Sequence, residues 1–166
     1  METKLISPKN INVEIERRWI LHNLPYEARH QVALYIEQWY HESEKGVIRY
    51  RATTNTDNND EVLFEKIIKL PVSKGINTEE HLPIDKDKFY KELSNDMRYI
   101  SKTRWVTVAG HRYEIDVFND SSLIILEVEL NNLDETIIFP DWLQKEIIAE
   151  ITGMKEFSNY NLAKVA

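Results

Sequence analysis

Pairs of acidic side chains, two residues apart, recur in three strand-like segments of this sequence. The pairs are Glu14 with Glu16, Glu114 with Asp116, and Glu127 with Glu129. Residues i and i+2 of an extended strand lie on the same face, so each pair presents two carboxylates side by side. Mg²⁺ and Mn²⁺ prefer carboxylate and phosphate oxygens. If folding brings these acids together, they could hold a divalent cation.

Two basic pairs follow the same spacing, and they are Arg49 with Arg51 and Lys102 with Arg104. Like charges on one strand face raise the energy of the fold unless a ligand or opposite charges offset them. A solvated strand face is the alternative for any one acidic pair, and an ion pair with those acids is the alternative for the bases. A nucleotide or polyphosphate with its divalent cation would satisfy both sets of charges.

Length and composition narrow the protein class. A chain of 166 residues with 42% hydrophobic and 30% charged residues predicts one soluble domain over residues 1–166. The formal net charge of −7 argues against nonspecific nucleic-acid binding. The absence of cysteine excludes disulfides, zinc–thiolate sites and cysteine nucleophiles. No signal-peptide pattern and no long apolar run is present, so we expect a cytoplasmic protein without a membrane segment.

The elements that must position these charges are mainly short strands joined by tight turns. A short helix from Glu27 runs into a strand that ends near Tyr40, and an amphipathic helix is expected at 85–93. A second helix is expected from Pro140 to a stop at Gly153, with the apolar stripe from Trp142 to Ile151 as its packing face. The remaining strands are predicted at 13–21, 47–53, 61–70, 77–84, 97–108, 113–118 and 123–130. Strands in hairpin succession with charge on one face favour an antiparallel sheet or a barrel with a polar lumen.

Segments spread along the chain resemble, in the same order, the motifs of the CYTH superfamily, also called triphosphate tunnel metalloenzymes. The likeness spans roughly residues 12 to 164. Each motif is weak alone, and their shared order carries the resemblance. The matching segments are Glu14-Ile15-Glu16-Arg17-Arg18 (ExExK), Gln38-Trp39-Tyr40 (QGY), Arg49-Tyr50-Arg51 (RxR), Ile67-Ile68-Lys69 (TIK), Lys102-Thr103-Arg104-Trp105 (KTRY), Tyr113-Glu114-Ile115-Asp116-Val117-Phe118 (WEIDVF), Glu127-Val128-Glu129 (ExE), Glu150-Ile151-Thr152-Gly153 (EVTG) and Phe157-Ser158-Asn159-Tyr160-Asn161-Leu162-Ala163 (YSNSNLA).

The resemblance implies an α+β fold, in which an eight-stranded antiparallel β-barrel forms a triphosphate tunnel with helices packed outside. It implies a small-molecule triphosphate as partner, Mg²⁺ or Mn²⁺ as cofactor, and hydrolysis, most simply of inorganic tripolyphosphate to pyrophosphate and phosphate. Thiamine triphosphatases also belong to the family. A class IV adenylate cyclase and a non-catalytic triphosphate-binding module are the alternatives, and a homodimer is left open. The implied phosphate-binding residues are Arg18, Arg49, Arg51, Lys69, Lys102 and Arg104. The implied metal-facing residues are Glu14, Glu16, Asp116, Glu127 and Glu129, and the implied catalytic pair is Arg18 and Tyr40.

The sequence departs from the family pattern at three places. Arg18 stands where the family has a lysine that is thought to activate water with Tyr40, and arginine stays protonated in essentially any protein site. Trp39 replaces the glycine of QGY. Asn77 or Thr78 falls at the arginine of the family's RxE segment, so one phosphate contact is expected to be absent.

Two histidines lie near predicted turns. His81 and His111 are therefore expected at the surface.

Overall fold

The computed structural model describes residues 10–165, and its dominant feature is a closed antiparallel barrel. The barrel strands are β1 (Ile11–Leu21), β2 (Val32–Ser43), β3 (Gly46–Asn55), β4 (Asn58–Ser73), β5 (Ile76–Leu82), β6 (Arg98–Ala109), β7 (His111–Phe118) and β8 (Ile124–Glu129). Neighbours around the wall follow the order β6-β2-β3-β4-β5-β1-β8-β7, and β6 pairs with β7 to close it. Every neighbouring pair is antiparallel. The predicted eight-stranded antiparallel barrel is confirmed.

The lumen changes character along the barrel axis. On β1 the inward positions run from Glu14 and Glu16 through Arg18 to Ile20, which packs at the edge of an apolar cluster. The buried members of this cluster are Tyr40, Ile100, Phe118, Ile125, Ile151 and Ala163. Strand periodicity points these side chains inward, and the order of residue types along the strands makes one part of the lumen charged and the other apolar.

Two apolar clusters cover the outside of the barrel. One lies under helix α1 (Lys86–Glu92), where the fully buried Phe89 packs with Tyr50 and Phe64. The Asp85 side chain caps this helix by accepting a hydrogen bond of 2.8 Å from the Lys88 backbone nitrogen. The other cluster lies under helix α2 (Asp141–Gln144), where Leu143 is fully buried beside Trp19. The helices thus pack outside the barrel, as expected.

The predicted helix from Pro140 to Gly153 is wrong beyond its first turn. Helix α2 ends at Gln144, and β9 (Ile147–Glu150) follows as a strand antiparallel to β1. The reason lies in β1, which pairs with β5 only as far as Ile15. Its edge from Trp19 to Leu21 would leave backbone groups unpaired, and β9 satisfies them. Most of the apolar residues from Trp142 to Ile151 do contribute to packing, but those after Gln144 lie in an extended segment and not in a helix.

The last described residues return to the barrel. A 3₁₀ turn (Lys155–Phe157) leads into the short helix α3 (Asn159–Leu162), and β10 (Lys164–Val165) then pairs with β6. The strand predicted at 61–70 is longer in the structure, because β4 runs from Asn58 to Ser73 and the turn to β5 lies at Lys74 and Gly75. No helix within residues 10–165 is long and apolar enough to cross a membrane.

Candidate functional site

A cavity of about 350 Å³ occupies the charged part of the lumen. It receives side chains from seven of the eight barrel strands, because the inward positions of each strand recur at every second residue. Among the described lining side chains only Ile67 is a hydrocarbon, and none is Phe, Tyr or Trp. The lining residues are Glu14, Glu16, Arg49, Arg51, Glu65, Ile67, Lys69, Glu79, His81, Arg104, Arg112, Glu114, Glu127, Glu129 and Asn159.

Arg104 is the centre of a buried ion network on one wall. Its guanidinium donates to Asp116 at 2.7 and 2.9 Å, to Glu114 at 2.7 Å and to Glu127 at 2.9 Å. These contacts arise because Arg104 lies opposite Asp116 in the β6–β7 register and Glu114 lies opposite Glu127 in the β7–β8 register. Arg104 lines the cavity with its charge already balanced by carboxylates.

Lys102 and Asp116 lie behind this wall and do not line the cavity. Both are fully buried, and the Lys102 ammonium donates to Asp116 at 2.7 Å and to Asn159 at 3.2 Å. Burial lowers the pKa of Lys102 to about 8, which leaves the ammonium protonated at neutral pH. Burial alone would raise the pKa of Asp116, but Arg104 and Lys102 hold it well below its usual range. The pair is ionised and internally neutralised.

Arg18 also lies outside the cavity lining. Its Nε donates to Glu127 at 3.2 Å and its Nη1 donates to the backbone carbonyl of Phe157 at 2.8 Å. Its Nη2 is buried without a hydrogen-bond partner among the described residues. The side chain therefore bridges β8 and the C-terminal segment.

Tyr40 belongs to the apolar cluster, with 5% of its surface exposed. Its hydroxyl accepts a hydrogen bond of 2.8 Å from Gln38, and its ring packs edge-on against Tyr160. Burial raises the pKa of Tyr40. A buried phenol with a raised pKa is a weak candidate for a general base, and the predicted pair of Arg18 and Tyr40 does not meet across the cavity lining.

Arg51 and Arg49, on β3, are the cations least balanced by the protein. The Arg51 Nε donates to the Gln38 side-chain oxygen at 2.6 Å, and no carboxylate of the described residues lies within 4 Å of its guanidinium. Burial, together with repulsion from Arg49 and Arg104, lowers the pKa of Arg51 to about 10. The nearest carboxylate oxygen to Arg49 is that of Glu79 at 3.9 Å, and the buried Arg49 Nε has no partner within the described chain.

Lys69 lies between Glu14 and Glu79 on the neighbouring strands. Its ammonium donates to Glu14 at 2.9 Å and lies 3.8 Å from Glu79. Burial lowers the pKa of Lys69, but Glu16 and Glu14 outweigh that effect and raise it. Burial would raise the pKa of Glu14, but Lys69 lowers it to about 2. The two side chains form an ion pair that is about one-quarter exposed toward the cavity.

Glu16 and Glu129 are two cavity carboxyl groups without an ion-pair partner among the described residues. They lie opposite each other in the β1–β8 register, and within the described residues neither forms an ion pair. Burial and the neighbouring Glu127 raise the pKa of Glu16 to about 8. Burial and Glu14 also raise the pKa of Glu129. Burial and the neighbouring carboxylates therefore outweigh the nearby cations at both groups.

The donor set of the cavity fits a hard divalent cation in its chemistry. Glu14, Glu16 and Glu129 offer oxygen ligands only, which Mg²⁺ and Mn²⁺ prefer. The side chains do not converge into a closed cage, since no three acidic or histidine side chains of residues 10–165 come together as a complete metal site. Phosphate oxygens and water complete the coordination of Mg²⁺ at many phosphate sites, so a partial protein shell suits a metal that arrives with a polyphosphate.

Several lining residues escaped the sequence analysis. Strand parity was the available signal for two of them, since Glu65 lies four residues before Lys69 and Arg112 lies four residues before Asp116 on the same strand. The others lie on β5 or in α3, where no site residue was predicted. His81 is the clearest correction, because its side chain is 33% exposed and lines the cavity. The His111 side chain is outside the cavity lining, and its Nε2 lies 3.4 Å from a Glu135 carboxylate oxygen. The residues missed are Glu65, Glu79, His81, Arg112 and Asn159.

The comparisons with known proteins agree with this architecture. Two solved structures of a protein named NE1496 resemble this chain, one described as a hypothetical protein and the other as an inorganic triphosphatase. Each is 24% identical and covers 90% of this chain, with 97% and 93% of NE1496 covered and TM-scores of 0.55 and 0.53. The PH1819 protein from Pyrococcus horikoshii OT3 is 18% identical, with 73% of this chain and 80% of that chain covered and a TM-score of 0.50. These likenesses show a shared fold.

The sequence matches no protein-family model and no curated protein. The fold that the motifs implied is therefore supported by structural similarity, and any argument about activity depends on the residues of the cavity.

Proposed function

We propose that this protein is a CYTH-type enzyme that hydrolyses a triphosphate with a divalent cation, preferably inorganic tripolyphosphate to pyrophosphate and phosphate. The observation that carries the proposal is the pairing of two unbalanced charge sets in one cavity. Within the described residues, Arg51 has no carboxylate oxygen within 4 Å and Arg49 has only that of Glu79, at 3.9 Å, while Glu16 and Glu129 have no cation within ion-pair distance. A triphosphate with its metal supplies the missing charge of both signs.

Arg49, Arg51 and Lys69 are the proposed phosphate-binding residues. They lie on adjacent strands β3 and β4 and line the cavity together. Phosphoryl transfer depends mainly on positioning and on stabilising charge on the phosphate oxygens. Guanidinium groups give fixed, planar donors, and Lys69 adds a mobile ammonium. Arg104 lines the same cavity, and its proposed part is to hold Glu127 and Glu114 in place while one face remains toward the substrate.

Glu14, Glu16 and Glu129 are the proposed residues to hold Mg²⁺ or Mn²⁺. When bound, the metal would polarise phosphate oxygens and lower the pKa of a coordinated water. Glu127 stands behind them, bound by Arg18 and Arg104. Asp116 is committed to Lys102 and Arg104 and is placed to orient the wall. Since a metal-coordinated water of lowered pKa would need no lysine base, the proposed part of Arg18 is to fix Glu127.

The cavity wall favours an inorganic substrate over a nucleotide. Recognition of a nucleobase relies on stacking against aromatic faces or on apolar surface. The described cavity lining contains no Phe, Tyr or Trp and only one aliphatic side chain, Ile67. A class IV adenylate cyclase needs a site for adenine, which this wall lacks within the described residues.

A non-catalytic triphosphate-binding module is the second candidate. It is favoured by Arg18, which cannot accept a proton, and by Tyr40, whose buried hydroxyl has a raised pKa. It predicts tight tripolyphosphate binding without product under Mg²⁺ or Mn²⁺.

The experiment is phosphate release from tripolyphosphate, measured with each metal and after EDTA, in wild type and in Glu14→Gln. We expect metal-dependent release that falls by about 100-fold or more in the variant, because the loss of a metal carboxylate removes several kcal/mol of transition-state stabilisation. Glu150→Gln is the matched control, since Glu150 pairs with Arg17 outside the cavity. Equal activity in Glu14→Gln and wild type would contradict the assignment.

A further inference from the structure

His81 is the only histidine of the described residues whose side chain lines the cavity. It follows Glu79 on β5 at the same inward parity, and its Nε2 lies 3.7 Å from a Glu79 carboxylate oxygen. Its backbone nitrogen is fixed by a 2.9 Å hydrogen bond to the carbonyl of Asn10. The strand therefore holds the imidazole at the wall while its ring forms no hydrogen bond with the described residues.

The wall around His81 combines both signs of charge. In the strand register it lies opposite Ile67, which in turn lies opposite Arg49. The charged cavity groups on its own and nearby strands are Glu79 on β5, Lys69 and Glu65 on β4, Arg49 and Arg51 on β3, and Glu14 and Glu16 on β1. Glu79 is shared by Arg49 and Lys69, so His81 stands at the border of the proposed phosphate-binding cations.

Histidine is the side chain that changes charge between about pH 5 and 8, and its protonated ring donates from both nitrogens. A phosphate oxygen near the ring favours the protonated form. A neutral imidazole beside the same oxygen offers one donor and no charge. Binding of a polyphosphate next to His81 and protonation of the ring should therefore favour each other.

We propose that His81 is a substrate-binding residue that contacts a phosphate of the bound chain in its protonated form, so that the cavity takes up a proton when it takes up its substrate. The proposal rests on the proposed function and adds a residue and a pH dependence to it. The chemical class of the ligand is an inorganic oligophosphate.

The test compares kcat/KM for tripolyphosphate from pH 5.5 to 9 in wild type, His81→Gln, His81→Lys and His111→Gln. At pH 6 the wild type should exceed His81→Gln by about tenfold, which is the value of one charge-assisted hydrogen bond. The ratio should fall toward unity as the pH rises to 9, because a histidine that has lost its proton cannot make the charge-assisted contact. His81→Lys should keep the acidic-side value of kcat/KM at pH 8, because its charge persists.

Dividing the kcat/KM of the wild type by that of a variant at each pH removes the pH dependence that comes from other titrating groups. Glu16, whose pKa is about 8, and the substrate itself also titrate in this range, but they are common to all four proteins. His111→Gln should follow the wild-type profile, since His111 pairs with Glu135 outside the cavity. Thermal unfolding at each pH separates a binding effect from a loss of fold.

Two results would overturn the inference. A wild-type to His81→Gln ratio that stays constant from pH 5.5 to 9 would remove the protonated contact, as would a His81→Lys variant that loses activity at pH 8 while keeping its fold. Absence of turnover in the wild type itself would instead refute the proposed function, so the two failures are distinguishable.

Discussion

Arg51→Gln is the substitution that best separates a ligand-binding cation from a structural one. The Arg51 guanidinium has one hydrogen bond, to Gln38, and no close carboxylate among the described residues. Glutamine keeps a polar group of similar reach toward Gln38 and removes the positive charge. We expect a protein that is as stable as the wild type or more stable, with strongly weakened use of tripolyphosphate.

The magnitude follows from the electrostatics of the barrel. Burial and the repulsion of Arg49 and Arg104 lower the pKa of Arg51 from its usual range to about 10. Each pKa unit corresponds to about 1.4 kcal/mol, so the charged form is disfavoured by up to about 3 kcal/mol in the fold at neutral pH. Loss of the Gln38 hydrogen bond costs about 1 kcal/mol. The free energy of unfolding should therefore stay level or rise by about 1 to 2 kcal/mol.

The same change removes a charged donor from the proposed phosphate site. Hydrogen bonds to charged groups contribute about 1.5 to 3 kcal/mol, which corresponds to a fall in kcat/KM of about 10- to 100-fold. Urea unfolding and steady-state phosphate release measure the two effects in the same preparation. Arg17→Gln is the matched control, because Arg17 pairs with Glu150 on the outside and should leave kcat/KM unchanged.

The opposite pattern would refute this reasoning. If Arg51→Gln lowers the free energy of unfolding by several kcal/mol and leaves kcat/KM at the wild-type value, the charge of Arg51 is balanced by the protein. The unbalanced cations that support the proposed function would then not exist.

Three further substitutions test the ion pairs and carboxyl groups in and around the cavity. Arg104→Gln should lower the free energy of unfolding by about 3 to 5 kcal/mol in urea titrations, because it strands buried carboxylates; a loss below about 1 kcal/mol would contradict the network. Glu16→Gln should have a higher free energy of unfolding than the wild type at pH 8 to 9 and the same free energy below pH 4.5. The reason is that a folded-state pKa of about 8 makes wild-type stability fall as the pH rises from 4.5 to 8. A difference in melting temperature between variant and wild type that is the same at both pH values would contradict this. Arg18→Lys should lower the free energy of unfolding by about 1 to 2 kcal/mol, because lysine cannot bridge Glu127 and Phe157 as a planar group. The KM for tripolyphosphate should change by less than about threefold. A large rise in KM would instead indicate that Arg18 binds phosphate.

Strand parity made much of the site predictable. Glu14 and Glu16, Arg49 and Arg51, and Glu127 and Glu129 all line the cavity as pairs, because a period of two holds along every barrel strand. The order of motifs further predicted the closed barrel. These features can be read from short segments of one sequence and from the order of those segments.

Register and depth along the axis were not readable. Arg104 is neutralised because Asp116 lies opposite it, and that pairing is decided by turn lengths and by closure of the barrel. Arg18 and Tyr40 were expected in the cavity, but the lumen becomes apolar just beyond Arg18, at Ile20. A change from charged to apolar lining is visible only when all strands are aligned around the axis.

The most direct test of the central claim is phosphate release from tripolyphosphate, ATP and thiamine triphosphate with Mg²⁺ or Mn²⁺, with cyclic AMP followed in the ATP sample. The cavity predicts rapid, metal-dependent release from tripolyphosphate and slow or no release from the two organic triphosphates. Cyclic AMP would contradict it in favour of a cyclase. Tripolyphosphate that binds but is never hydrolysed would reduce the tunnel to a receptor.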